Sequence, residues 1–315
     1  MKNIITIFMY LLVNHSMVAQ ESNKEYKGVA FENGSTWAEI KAKAKAENKY
    51  VFIDAWATWC GPCIYMNKNV FPSPEVGAFF NKNFINVKLQ LDSTYKDKEE
   101  VRRWYQDAKN IKEVYNIRFY PTFIFLSPEG ELVHRGVGGT DAMAFIILGK
   151  EALDPQLQFY TLKKKYDAGS RDTSLLRSLA TGANRAAYDE LAKVVIKELL
   201  ATQPTLFTKE NLRLLMSTIS SISDEGFEIF LKEGKKADAL LGKGRSVAFV
   251  KDIIMYNVLN NELFSDEQPN KNIDWRSVEK KITEELKGTD PAIIKEIVSL
   301  IKEDQEKKKT GIVAH

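Results

Sequence analysis

Cys60 and Cys63 are the chain's two cysteines, set three positions apart by Gly61 and Pro62 within the stretch DAWATWCGPCIYM. Two thiols at that spacing can hold a metal, close a disulfide or simply pack. A closed zinc site needs four ligands. The three histidines are poorly placed to add them, because His15 falls within the first nineteen residues, expected to be removed, and His315 ends the chain, leaving His134 and carboxylates. A purely structural bridge, which an oxidising compartment would form, closes so short a loop that it removes little entropy from the unfolded chain. A redox pair has a physical reason behind it, because here a Cys-x-x-Cys opens a helix straight after a buried strand. The unpaired N–H groups and positive dipole end of that helix favour a thiolate at the first cysteine, drawing its pKa down from about 8.5. Cys60 is then the nucleophile. Cys63, one turn later and less exposed, is placed to attack a mixed disulfide on Cys60 and release the bound partner. Pro62 suits the first turn, where a missing N–H costs no hydrogen bond.

These residues need a frame, and the patterning of the chain supplies one. The stretch YVFIDAWA from Tyr50 is rich in β-formers and almost continuously apolar, as a central strand buried on both faces would be. A helix starts at Cys60, and its continuation is marked by Ser73 as cap and Pro74 at the first helical position, with Val76, Phe79 and Phe80 on the buried side. Upstream, Val29 to Phe31 reads as a short strand. Thr36 and Glu39 make a capping box for a helix that buries Trp37, Ile40 and Ala44 and ends at Asn48. Downstream come a strand in INVKLQLD, a helix from Asp97 to Tyr115, a β-hairpin turning at Pro128-Glu129-Gly130, and a helix opened by Thr140. The order β-α-β-α-β-α-β-β-α predicts a mixed sheet with helices on both faces.

Beyond Leu153-Asp154-Pro155 strand-like runs almost vanish, and amphipathic segments such as AAYDELAKVVIKELL and AIIKEIVSLIK take over. Residues 20–152 read as one domain and residues 153–315 as an all-helical second domain, a bundle or an irregular repeat. Asp274 and Asp290-Pro291 look like helix starts, and Gly169 and Gly288 like stops. The second domain holds no cysteine and no histidine before His315, so no nucleophile–base pair of the usual kinds can form in it. Across the chain 45 Lys and Arg meet 42 Asp and Glu, which leaves no basic excess for a nucleic-acid partner. At the start, Lys2 precedes an apolar run from Ile4 to Val13 and a small, polar stretch to Ala19-Gln20, the layout of a secretory signal over residues 1–19. The apolar core is roughly half of the about 20 residues that span a bilayer. Export across the inner membrane into the periplasm, with removal of the signal near Gln20, is expected rather than permanent anchoring.

Trp59-Cys60-Gly61-Pro62-Cys63, Asp54 six residues before the first cysteine, Trp56, VKLQLD, and YPTFIFLSPEGELVHRGVGG together resemble the thioredoxin family over roughly Val29 to Lys150. The similarity is greatest to a secreted bacterial branch in which CxxCxxMxxxVF is followed by xPEV and NFxxVK. The resemblance implies the α/β thioredoxin fold, a central mixed β-sheet flanked by helices, here followed by an all-α domain. It implies that Asp54 is the buried acid beneath the disulfide, moving a proton to or from Cys63, and that Lys88 is the lysine accompanying it. It also implies that Pro121 is a cis-proline presenting the backbone of Tyr120 to an extended client. Trp59, Gly61 and Pro62 would form the rest of the rim the client meets. Two positions depart from the family: Tyr120 stands where a smaller aliphatic residue is usual, and Ile64 replaces a frequent basic residue.

A dithiol can reduce, oxidise or isomerise. Gly-Pro between the cysteines resembles reducing thioredoxins, with potentials near about −270 mV, rather than strong oxidants near about −120 mV. That gap is worth roughly 7 kcal/mol for two electrons. The expectation is therefore a secreted protein-disulfide reductase, acting on disulfide-containing client proteins and recharged by a membrane thiol-reductase. The alternatives are an isomerase or oxidase, and a client-binding module in which the helical domain carries the main role. No metal and no separate cofactor are expected, the redox-active group being the Cys60–Cys63 disulfide.

Overall fold

The structure is a computed structural model that describes residues 28–32, 34–265, 268–269 and 272–309. The expected signal over residues 1–19, its removal near Gln20, His15 and His315 lie outside the described residues. Contacts divide the chain into two units. One runs to Gly169 and takes in Arg185–Ala187; the other comprises Ser170–Asn184 and the chain from Tyr188 onward. Strand-like sequence ends near Leu153, yet the helix Phe159–Asp167 still belongs to the first unit. No described helix is long and apolar enough to cross a membrane.

The first unit is built on a four-stranded sheet of β1 (Tyr50–Trp56), β2 (Phe84–Gln90), β3 (Thr122–Leu126) and β4 (Leu132–Val137), in the order β2-β1-β3-β4. β1 runs parallel to β2 and antiparallel to β3, and β3 and β4 form the hairpin. Alternation along β1 divides its side chains between two cores. Val51, Ile53 and Ala55 join an aliphatic core with Ile40, Val87, Ile111 and Ile124. Phe52 enters an aromatic core with Phe80, Phe84, Phe123, Phe125 and Phe145. In that second core Phe80 and Phe145 stack at 4.4 Å, and Phe52 meets Phe80 edge-on at 5.0 Å.

The helices of this unit are α1 (Trp37–Glu47), α2 (Gly61–Tyr65), α3 (Pro74–Asn83), α4 (Glu99–Arg103), α5 (Tyr105–Val114), α6 (Ala142–Leu153) and α7 (Phe159–Asp167). The Thr36–Glu39 capping box opens α1, and Asn48 closes it in the left-handed region with φ 50°. Three expectations need correction. Val29–Phe31 is reduced to a single bridge, Phe31 to Asn86, because side-chain amides occupy the groups a ladder would use. Ala30 N–H donates to Asn81 Oδ1 at 2.8 Å, and Asn86 Nδ2 donates to the Ala30 carbonyl at 3.1 Å. The single helix expected from Asp97 to Tyr115 is broken at Trp104 into α4 and α5. Asp97 is a loop hub instead of a helical residue: its carboxylate accepts from Thr94 N–H at 2.8 Å, the Thr94 hydroxyl at 2.6 Å and the Tyr105 hydroxyl at 2.6 Å. These bonds hold it far below the usual carboxylate range. Finally, α6 is capped not by Thr140 but by Asp141, whose side chain accepts from Ala144 N–H at 2.8 Å.

The second unit is largely helical, from Thr173–Arg185 to Pro291–Lys309. Asp274 caps Trp275–Glu285, and Asp290 accepts from Ala292 N–H at 2.8 Å at the start of the final helix. Gly169 and Gly288 take positive φ just past helix ends. Among the described residues a two-residue ladder, Phe264–Ser265 with Gln268–Pro269, accompanies these helices.

Candidate active site

The register of the sheet assembles the buried part of the site. Asp54 on β1 stands beside Lys88 on β2 and Phe123 on β3. Residues paired across strands share a face, so all three lie on the side of the aromatic core. Asp54 is 1% exposed and its Oδ1 has no hydrogen-bond partner. A buried carboxylate without donors is penalised in its charged form. Burial therefore pushes the Asp54 carboxyl up to about 7, against the opposing pull of the Lys88 ammonium. Burial also pulls Lys88 down from the usual lysine value, while Asp54 acts the other way.

Lys88 does not close a hydrogen bond with that acid. Its Nζ donates to Asn67 Oδ1 and lies 5.1 Å from the ring centre of Trp56, 5.2 Å from Phe31 and 5.6 Å from Phe71. Asn67 belongs to a π-helical turn, Met66–Val70, that continues α2. Such turns carry an extra residue and are frequent at functional sites.

Between β1 and α2, Asp92 braces the loop by accepting from Thr58 N–H at 3.1 Å and from the Thr58 hydroxyl. Cys60 follows as the N-cap of α2, and Pro62 sits in the first turn. Cys60 Sγ accepts from Cys63 N–H at 3.1 Å, and the two sulfurs are bonded at 2.04 Å. The helix N–H and the dipole end at that sulfur favour negative charge there. Cys60 is 3% exposed and Cys63 1%, so both are covered in the disulfide form. They cluster with Ala57 under Trp56 and Tyr120.

Above the sulfurs lies a rim. Trp59 is 70% exposed and meets the Tyr120 ring edge-on at 5.6 Å. Lys112 of α5 places its Nζ 5.7 Å from the same tyrosine ring. Gly61 and Pro62 are exposed. The Tyr120–Pro121 peptide bond is cis, and the Pro121 carbonyl accepts from Gly138 N–H at 2.9 Å. Gly139 packs so closely that an added Cβ would come 3.2 Å from Pro62 Cβ. Thr140 N–H approaches Met66 Sδ at 3.4 Å. The loop after β4 thus ties the start of β3 to α2.

The fold therefore pairs the buried Asp54 with the half-buried Lys88 in one row of the sheet, and brings Trp59, Gly61, Pro62, Tyr120 and Pro121 around the disulfide. Asn67, Phe31, Phe71, Asp92 and Lys112 were not singled out from sequence. Asp92 had a signal, being the acid that ends VKLQLD. Asn67 had none, because apolar periodicity does not mark a π-helical turn. In the second unit a cavity of about 710 Å³ is lined by Ile196, Leu200, Leu215 and Ile229, with Lys193 and Lys197 among its polar residues.

Residues 37–153 match a family described as Thioredoxin-like domain. Thiol:disulfide interchange protein DsbD 2 of Pseudomonas aeruginosa is 32% identical over 108 residues, covering 33% of this chain and 16% of that protein. This chain thus spans a small part of that relative's length. Thioredoxin H-type of Fagopyrum esculentum is 31% identical over 119 residues, covering 36% of this chain and 83% of that protein. Among solved structures, DsbH oxidoreductase is similar at 21% identity with a TM-score of 0.35, covering 44% of this chain and 97% of that one.

Proposed function

The chain belongs to the thioredoxin family, and from that premise we propose that it is a thiol–disulfide oxidoreductase that reduces protein disulfides in the periplasm. The observation that carries the reading is Cys60 Sγ at a helix N-cap, accepting Cys63 N–H, after a strand that carries a buried acid whose Oδ1 has no hydrogen-bond partner.

In the reduced protein the Cys60 thiolate attacks one sulfur of a client disulfide. The client S–S bond breaks, a Cys60–client bond forms, and the second client sulfur leaves as a thiolate. The Cys63 thiol then gives its proton to the Asp54 carboxylate and attacks Cys60 Sγ. The Cys60–Cys63 bond forms, and the first client sulfur departs as a thiolate that takes up a proton from Asp54 or water. Two electrons pass to the client and the cysteine pair is oxidised. An acid whose carboxyl titrates at about 7 can accept and return that proton near neutral pH. Lys88 supplies the opposing charge, and an extended client pairs with the Tyr120 backbone beside Pro121, against Trp59, Gly61 and Pro62. No separate cofactor takes part.

Gly61-Pro62 between the cysteines supports reduction as the direction, with a membrane thiol-reductase recharging the pair. The leader layout supports the location. The similarity to a bacterial thiol:disulfide interchange protein supports a relay of this kind. Equilibration in graded thiol buffers should give a potential near about −270 mV, and a value near about −120 mV would overturn reduction in favour of oxidase or isomerase chemistry. Cys63→Ser should trap clients on Cys60 as mixed disulfides. A second reading, in which the helical unit is a domain whose main work is holding the client, is favoured by its cavity. If Leu200→Trp, which fills that cavity, abolishes the cellular role while Cys60→Ser preserves it, the binding role takes precedence.

A further inference from the structure

Among the described residues, Lys88 is the charge that pulls on Asp54 and Asp54 the charge that pulls on Lys88. The surrounding elements add no other charge to the pair. β3 contributes no ionisable side chain. On the segment carrying Phe31, Glu32 is engaged by Lys43 at 2.5 Å; on the π-helical turn and α3, Lys68, Glu75 and Lys82 are exposed; and on α6, Lys150 is exposed and Glu151 is paired with Arg185. Two opposite charges in a shared, partly dry face would be expected to meet. Instead Asp54 Oδ1 has no partner, and the ammonium donates to Asn67 Oδ1 with the rings of Trp56, Phe31 and Phe71 centred within 5.1 to 5.6 Å of it. Aromatic faces attract a cation through their quadrupole, and do so more strongly when the cation is shielded from water. Four groups from three separate parts of the chain therefore converge on one Nζ.

We propose that Asn67 is a positioning residue: with the Phe31, Trp56 and Phe71 rings it parks the Lys88 ammonium away from Asp54, and so keeps the Asp54 proton exchangeable at neutral pH. A lysine stem of four carbons is flexible enough to turn toward an unpartnered carboxylate once its acceptor is removed. A closed ion pair favours the ionised carboxylate and lowers its pKa, which would leave Asp54 a weaker proton acceptor. The π-helical turn matters because it brings Asn67 to the sheet; Asn67 need touch neither cysteine nor client. The significance of this arrangement rests on the oxidoreductase reading, but its test does not.

The test follows the Asp54 carboxyl carbon by 13C NMR across pH in the oxidised full-length chain, with no client present. Asn67→Leu, which keeps the branched shape and removes the acceptor, should lower the Asp54 midpoint by about one pH unit. Should that variant not fold, Asn67→Ala makes the same deletion. Lys88→Met should raise the midpoint, and adding Asn67→Leu to Lys88→Met should then change nothing, since the residue acts only through the ammonium. An unchanged or raised midpoint in Asn67→Leu, or an equal shift with and without Lys88, overturns the proposal. A merely structural Asn67 would alter thermal stability and leave the midpoint alone. Failure of the reductase reading would appear separately, as an oxidising potential or an absence of trapped clients, with the Asp54 titration unaffected.

Discussion

Asp54→Asn should make the first unit more stable, and by an amount that grows with pH. The ordinary value for the Asp54 carboxyl is 3.8, and burial raises it to about 7 in the folded chain. Below pH 4 the carboxyl is protonated both folded and unfolded, and burial of the acid costs the fold nothing extra. Between about 4 and 7 the unfolded chain has lost this proton and the folded chain has kept it, so rising pH removes stability until the folded group also ionises. A difference of about three pH units at about 1.4 kcal/mol each amounts to about 4 kcal/mol at pH 8. Asparagine cannot ionise and escapes this loss. It does leave an amide in place of an acid, at a cost independent of pH, so the informative quantity is the change in the variant-minus-parent difference and not its absolute size. Denaturant unfolding of the oxidised full-length chain from pH 4 to 8 would measure it. Tryptophan fluorescence suits the purpose because Trp37, Trp56, Trp59 and Trp104 lie in the first unit and Trp275 in the second. A difference that stays constant over that range, or shrinks as pH rises, would refute the assignment of a buried, unpartnered acid.

His134 should bend the same stability profile the other way. It is fully buried, its Nδ1 accepts from Phe159 N–H at 3.0 Å, and burial followed by the nearby Arg185 charge holds it down to about 3 from the usual 6.5. Its contribution is complete above pH 6.5 and is lost as pH falls toward 3, up to about 5 kcal/mol. His134→Gln should flatten the acid side of the denaturant curve between pH 4 and 6.5, and an unaltered slope there would count against a neutral buried imidazole. Because Asp54 and His134 oppose each other in this window, the parent should look nearly indifferent to pH while Asp54→Asn shows a clear rise. At the rim, Tyr120→Val removes a ring that a client would meet beside Trp59, and losing one aromatic contact of about 1 kcal/mol with the client is roughly five-fold in affinity. KM for a protein disulfide should rise by about that factor with the potential unchanged. A shifted potential with constant KM would mean that the tyrosine acts on the cysteines and not on the client.

Legibility from sequence followed the range over which each feature is determined. The capping box at Thr36 and Glu39, the helix break at Asn48 and the Cys60 cap with Pro62 behind it are settled within one turn of chain, and all are found where the residues predict. The resemblance implies a buried acid at Asp54, and that side chain is 1% exposed in an otherwise apolar strand. Features that failed depend on partners far along the chain. Val29–Phe31 has strand composition, but Asn81 and Asn86 occupy the Ala30 backbone. Apolar spacing from Val101 to Tyr115 fits a helix, but it does not register that the Asp97 carboxylate gathers Thr94 and Tyr105 into a loop.

The same distinction separates the two halves of the proton site. Which residues carry its charge follows from local pattern and resemblance, Asp54 on one strand and Lys88 on the next. How strongly they interact does not, because that depends on where one flexible ammonium rests, and its resting place is chosen by Asn67, Phe31, Trp56 and Phe71, spread over forty positions of chain. A change at any of the four would leave the Cys-x-x-Cys stretch untouched while altering the pH at which Asp54 exchanges its proton and so, on the proposed mechanism, the pH at which it would take the Cys63 proton. Two chains with the same sequence from Trp59 to Cys63 can therefore differ in the pH range of their resolving step, and the difference would have to be sought in the residues that hold the lysine.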